Sequence, residues 1–146
     1  MRKRSQHSLE FLSPKFSKGS STILIDTGIS AGFPSPADDF RETRISLDEE
    51  LIQNKEATFF ARVSGQSMIG AGLDDNDLLV IDRSIAPADN KIAVCFLDGE
   101  FTVKRLKVGN GEVWLQPENE NYKSIKITED NNFIIWGIVT NVIKKV

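Results

Sequence analysis

From about residue 57 onward, the chain alternates runs of β-branched and aromatic residues with clusters of turn formers. The runs are "TFFARVS" (58–64), "DLLVIDR" (77–83), "KIAVCFL" (91–97), "EFTVKRLK" (100–107), "EVWLQP" (112–117), "KSIKI" (123–127) and "FIIWGIVTNVI" (133–143). Between them stand "DDND", "DG", "GNG", "ENEN" and "EDNN". Apolar segments bounded in this way predict strands. The Asp98-Gly99 pair between two such runs predicts a tight hairpin. Short strands with brief turns predict a mainly β fold, a twisted β-sandwich or partly closed barrel. The chain has no internal repeat and no low-complexity tract.

The first part of the chain reads differently. Residues 1–45 are rich in Ser, Lys, Gly and Pro and poor in large apolar residues. Within "FPSPADD" (33–39), Pro34 and Pro36 resist helix interiors and central strands. The expectation is an extended, flexible N-terminal arm over 1–45 and a β-rich domain over 46–146. One short helix is expected at "SLDEELIQN" (46–54), where Ser46 and Glu49 have capping-box spacing and Leu47 and Leu51 share a face.

Composition narrows the class. The chain has 146 residues, 40% of them hydrophobic and 27% charged, which predicts one soluble globular domain. A net charge of −3 argues against a dedicated nucleic-acid binder. No apolar run has bilayer length, and the basic start "MRKRSQHSLEFLSPKF" lacks the apolar stretch of a signal peptide. A cytoplasmic location is the expectation. Cys95, in "IAVCFL", is expected to be a buried inert thiol, and one Cys with one His (His7) does not make a zinc site. No cofactor or metal is expected. Asp74, Asp75 and Asp77 read as a charged turn, Trp114 and Trp136 as packing residues, and Arg2, Lys3 and Arg4 as a solvated tail.

Candidate chemistry centres on "VSGQSMIGAG" (63–72), where Ser67 stands between small residues. The single histidine, His7, lies in the polar arm, so a serine nucleophile needs another base. Lys104, in "GEFTVKRLK", is the candidate. A lysine acts as a base only when its ammonium, of reference pKa about 10.4, is destabilised by burial. Phe101, Val103 and Leu106 are positioned in sequence to supply such surroundings. Gly65 and Gly70 give the backbone freedom to approach a carbonyl, and the N–H groups of Ser67 and Met68 are candidates for an oxyanion hole. On local features alone, Ser67 reads as an ordinary turn serine and Lys104 as a solvent-facing strand lysine.

The segments "SGQSM", "NDLLVID" and "DGEFTVKRL" resemble the self-cleaving serine–lysine peptidases of the LexA and UmuD kind. The resemblance rests on "SxxSM" followed 37 residues later by the hairpin lysine. It extends from about Gly28 to the C-terminus through "RISL", "LIQ" and "LQPEN". "AGFPSPADD" resembles the cleavage region of UmuD, while the first 27 residues match nothing. The resemblance implies a fold like the C-terminal domain of LexA, Ser67 as nucleophile, Lys104 as general base and Ala31-Gly32 as the scissile bond. Ala31 suits a small pocket, and Gly32 offers no side chain to hinder approach. It further implies a homodimer and self-cleavage stimulated by a RecA–single-stranded-DNA filament. The trimmed form would then serve an error-prone Y-family polymerase (UmuC-like) in SOS mutagenesis, without specific DNA binding or membrane contact of its own. "FIIWGIVTNVI" is expected to offer an interface edge to the dimer. A LexA- or phage-type repressor relative is a further reading. Only 31 residues precede the Ala31-Gly32 bond, and they show no helix-turn-helix pattern, so the DNA-binding head would be lacking. A signal peptidase would need a membrane anchor. The non-enzymatic alternative is a β-rich interaction module in which Ser67 and Lys104 are structural.

Overall fold

The computed structural model describes residues 9–15, 22–25 and 42–146, with side chains at 9–15 and 44–146. His7, Ala31, Gly32, Pro34, Pro36 and the basic cluster Arg2, Lys3 and Arg4 lie outside the described residues. The chain forms two compact units, one of residues 15–53 and one of residues 1–14 with 54–146.

In the larger unit the strands are β1 (Glu10–Leu12), β4 (Thr58–Arg62), β5 (Leu78–Asp82), β6 (Ile92–Leu97), β7 (Glu100–Gly109), β8 (Glu112–Gln116), β9 (Ile125–Lys126) and β10 (Phe133–Ile143). They make one eight-stranded sheet in the order β1-β4-β5-β10-β6-β7-β8-β9. Every pairing is antiparallel. The seven strands expected after residue 57 are all present. Asp98 and Gly99 have φ of 49° and 91°, as a type I′ hairpin turn between β6 and β7 requires.

The expected interface role of "FIIWGIVTNVI" needs correction. β10 is not an edge: it pairs with β5 on one side and β6 on the other. Its long apolar run belongs to a central strand, whose backbone is hydrogen-bonded on both sides. Two register shifts, between Ile135 and Gly137 and between Val139 and Asn141, let its 11 residues follow neighbours of five and six.

Packing follows strand alternation. One core cluster gathers Ala61, Val63, Met68, Leu73, Leu79, Ile81, Val94 and Val103. A second gathers Ala93, Cys95, Leu106, Leu115 and Ile138. Beside the first, Trp136 stacks at 4.7 Å from Phe11 and 5.2 Å from Phe59, and Phe101 lies 4.8 Å from Phe11. Trp136 is thus a packing residue, with the Arg83 guanidinium 4.5 Å from its ring. Trp114 is 37% exposed and donates its indole N–H to Glu112. Because Phe11 comes from one end of the sheet order and Phe101 from β7, the sheet curls until distant strands touch, without closing.

In the smaller unit, β2 (Thr22–Ile25) pairs antiparallel with β3 (Glu42–Ile45), followed by α1 (Leu47–Leu51). The capping box expected there is not formed: Ser46 makes no side-chain cap bond. Asp48, Glu49 and Glu50 instead place negative charge in the first turn, which the helix dipole favours. Strands β1, β2 and β3 all fall within 1–45, the region read from composition as an extended, flexible arm. Strands of three or four residues fall below the length at which alternation can be recognised. Among the described residues, no helix is long and apolar enough to cross a membrane.

Leu79 is fully buried in the first cluster. Leu79→Ala is expected to lower unfolding stability by about 3 kcal/mol in urea titration. A loss under about 1 kcal/mol would contradict the packing described.

Candidate active site

Ser67 is carried by the loop between β4 and β5. The neck of that loop is closed by two backbone bonds, Val63 N–H to Asp77 O and Asn76 N–H to Val63 O, both 2.8 Å. Gly65, with φ of 102°, turns the chain where a side chain would be strained, and its N–H donates to Asp75 Oδ1 at 3.0 Å. Met68 and Leu73 anchor the loop in the first core cluster at 3% and 1% exposure. Lys144 bonds both Asp74 and Asp77, so the acidic triplet works as loop structure.

A second set of bonds ties the loop to the segment after β8. Glu118 N–H donates to Ser67 O at 2.8 Å, and Gly70 N–H donates to Glu118 O at 2.7 Å. Asn119 Nδ2 donates to Gln66 O at 2.8 Å. Gly70 is needed for close approach: a Cβ there would lie 2.5 Å from Glu118 O. Glu118 is itself held by the Arg105 guanidinium from β7.

Lys104 lies on β7 opposite Ala93, on the strand face it shares with Thr102 and Leu106. Only 7% of it is exposed. Its Nζ is 3.0 Å from Ser67 Oγ, 2.7 Å from Thr102 Oγ1 and 3.1 Å from Val103 O. Burial removes water from the ammonium and pulls its pKa down to about 8, while interaction with Cys95 opposes the shift. Burial likewise pushes the fully buried Cys95 thiol up to about 12, so at neutral pH it is an uncharged packing group.

The fold therefore brings Ser67 and Lys104 within one hydrogen bond of each other. In the charged lysine, three N–H groups meet three acceptors. In the neutral amine only two N–H groups remain. Val103 O accepts one, Thr102 Oγ1 can accept the other, and the lone pair is left facing the Ser67 hydroxyl. Thr102 was not singled out from sequence, although a hydroxyl two residues from a strand lysine necessarily shares its face. Beside Ser67 is a cavity of about 20 Å3, bordered by Leu9, Val63, Met68, Phe101, Thr102 and Val103. Leu9 is the second residue that sequence reasoning missed, because it comes from the arm. Among the described residues, the backbone N–H groups of Ser67 and Met68 have no intramolecular acceptor.

Two outcomes are expected. Lys104 should titrate near pH 8 when followed by NMR of 13Cε-labelled lysine; a midpoint above about 10, the reference range, would mean a solvated ammonium. Gly70→Ala should unseat the Ser67 loop from Glu118 and show faster amide exchange at Gly70 and Glu118, and unchanged exchange would contradict that contact.

A Peptidase S24-like family model matches residues 23–140. The chain is 41% identical over 114 residues to Protein MucA of Salmonella typhimurium, covering 77% of each. It is 42% identical over 115 residues to Protein ImpA of Shigella flexneri, covering 79% of this chain and 78% of that one. A LexA repressor of Acidithiobacillus ferrooxidans is 34% identical over 119 residues, covering 80% of this chain and 58% of the repressor. With an antiparallel β fold, a resemblance to the LexA and UmuD kind read from motifs, and relatives matched over most of its length, the chain belongs to the Peptidase S24-like family of serine peptidases.

Proposed function

We propose that the protein is a UmuD-like SOS mutagenesis factor that cuts itself between Ala31 and Gly32, with Ser67 as nucleophile and Lys104 as general base. The observation that carries this reading is the 3.0 Å approach of Lys104 Nζ to Ser67 Oγ, with the lysine buried away from any carboxylate among the described residues.

The chemistry runs in two halves. The neutral Lys104 amine takes the proton from Ser67 Oγ as that oxygen attacks the Ala31 carbonyl carbon. The negative charge developing on the carbonyl oxygen is met by the N–H groups of Ser67 and Met68. Collapse breaks the Ala31–Gly32 C–N bond, and the Lys104 ammonium returns its proton to the Gly32 amine. Water then hydrolyses the Ala31 ester, with Lys104 again accepting a proton. The cavity beside Ser67 has room for about one water molecule.

Similarity to MucA and ImpA supports a biological setting for this reading. A RecA–single-stranded-DNA filament promotes cleavage by favouring the conformation in which the cleavage segment meets Ser67, a population shift that needs no added catalytic group. The trimmed form, as a homodimer, serves a UmuC-like Y-family polymerase in translesion synthesis.

Purified protein at alkaline pH should yield a fragment starting at Gly32 by intact mass. Ser67→Ala should fold and leave the chain uncut, which also separates this reading from a non-enzymatic interaction module. Cleavage of Ser67→Ala at the rate of the unsubstituted chain would remove the nucleophile assignment.

The pH profile is a separate test. Because the active form is the deprotonated lysine, the rate rises with pH. It should climb about tenfold per unit below a pKa of about 8 and level off above it. At pH 7 about one molecule in ten carries the neutral amine, against well under one in a thousand for an unperturbed lysine. Lys104→Arg keeps a cation that stays protonated at any workable pH. It should remain uncut throughout, and a Lys104→Arg chain cutting itself with the same profile would overturn the base assignment.

A further inference from the structure

Strand β1 comes from the arm yet belongs to the catalytic sheet. It pairs with the outer edge of β4 through Glu10↔Arg62, Phe11↔Ala61 and Leu12↔Phe60. The other edge of β4 is taken by β5, so β1 covers the only edge left. β4 leads directly into the Ser67 loop, and β1 runs antiparallel to it, which puts Leu9 at the Ser67 end. Alternation turns Leu9 and Phe11 to one face and Glu10 and Leu12 to the other.

The inward pair bridges both walls of the site. Leu9 borders the cavity beside Ser67, together with Val63 on the β4 side and Phe101, Thr102 and Val103 on the β7 side. Phe11 packs on Phe101 and Trp136 at 4.8 and 4.7 Å. With Leu9 in place, the space at Ser67 is about 20 Å3. That holds a water molecule and excludes an amino-acid residue.

A peptide bond reaches a serine nucleophile most readily on an extended segment, and an extended segment needs a free sheet edge to hold its backbone. Here that edge and the adjoining cavity are already filled. We propose that the outer edge of β4, with the cavity beside Ser67, is a binding site for an extended peptide. Its resident in the uncut chain is Leu9–Leu12, and the Ala31-Gly32 segment reaches Ser67 only when this strand lets go. The inference rests on the reading of Ser67 as the nucleophile. A three-residue strand is suited to the part, because so few pairs open locally without unfolding the sheet. Both competitors are on the same arm, and cleavage at Ala31-Gly32 severs the resident strand from the domain.

The test is a reversible lock on β1. Glu10 and Arg62 are register partners in an antiparallel pair, at a Cα separation a disulfide can span. In the full chain carrying Glu10→Cys and Arg62→Cys, oxidation should slow self-cleavage at pH 9 at least tenfold relative to the same chain reduced with dithiothreitol. Phe11→Glu, which expels the aromatic anchor, should speed cleavage several-fold. Equal rates in the oxidised and reduced double-cysteine chains would overturn the inference while leaving the Ser67–Lys104 reading intact. Absence of cleavage in the unsubstituted chain would instead defeat that reading. In that case, amide exchange across β4 still reports on β1. Protection at Phe60 and Arg62 that falls in Phe11→Glu supports the resident strand, and protection unchanged by that substitution argues against it.

Discussion

A lysine ammonium held inside a protein without a carboxylate partner is the constraint on which this structure turns. Taking such an ion out of water costs several kcal/mol even after the surroundings relax. At Lys104 the cost shows as a pKa pulled down to about 8, with no counter-ion among the described residues to offset it. Its three polar neighbours, Ser67, Thr102 and Val103 O, are all uncharged. Uncharged partners satisfy the nitrogen's hydrogen bonds without fixing the positive charge, so burial remains the dominant influence. An aspartate in place of Thr102 would stabilise the ammonium and raise its pKa.

That arrangement demands rigidity from the serine side. A hydroxyl on an ordinary surface turn would sample many positions, most of them outside hydrogen-bond range of a fixed amine. The Ser67 loop is held at its neck by β4–β5 backbone bonds, underneath by Met68 and Leu73, and along its flank by Glu118. The flank contact matters most, because Glu118 is tied by Arg105 to β7, the strand that also carries Lys104. The Ser67 loop and the Lys104 strand are therefore referenced to each other through a second connection, independent of their own hydrogen bond.

Much of this was legible in the amino-acid sequence. The strands after residue 57 announce themselves because each is a run of β-branched and aromatic residues closed by Asn, Asp or Gly. The Ser67–Lys104 pairing was suggested by the resemblance to serine–lysine peptidases, and its geometry then emerged from the fold. What was hidden is what depends on tertiary contacts. β10 reads as an apolar strand whether it lies at an edge or at the centre, since hydropathy does not say how many neighbours a strand has. Leu9 and Phe11 sit in a polar arm, and nothing local marks them as part of the sheet until β4 presents its open edge. Ser46 and Glu49 have the spacing of a capping box, but the five-residue α1 forms without the serine side-chain bond.

The place of β10 has a consequence for synthesis. In the sheet order, β1, β4 and β5 form one group and β6 to β9 another, and β10 is the only strand pairing with both. Ser67 leaves the first group and Lys104 belongs to the second. A nascent chain on the ribosome completes both groups before residues 133–143 emerge, but it lacks the strand that joins them. The long-range pairing that brings the two side chains together is thus the last to become available. Under the proposed self-cleavage, a pair completed early would meet the arm during translation, and this order delays that meeting.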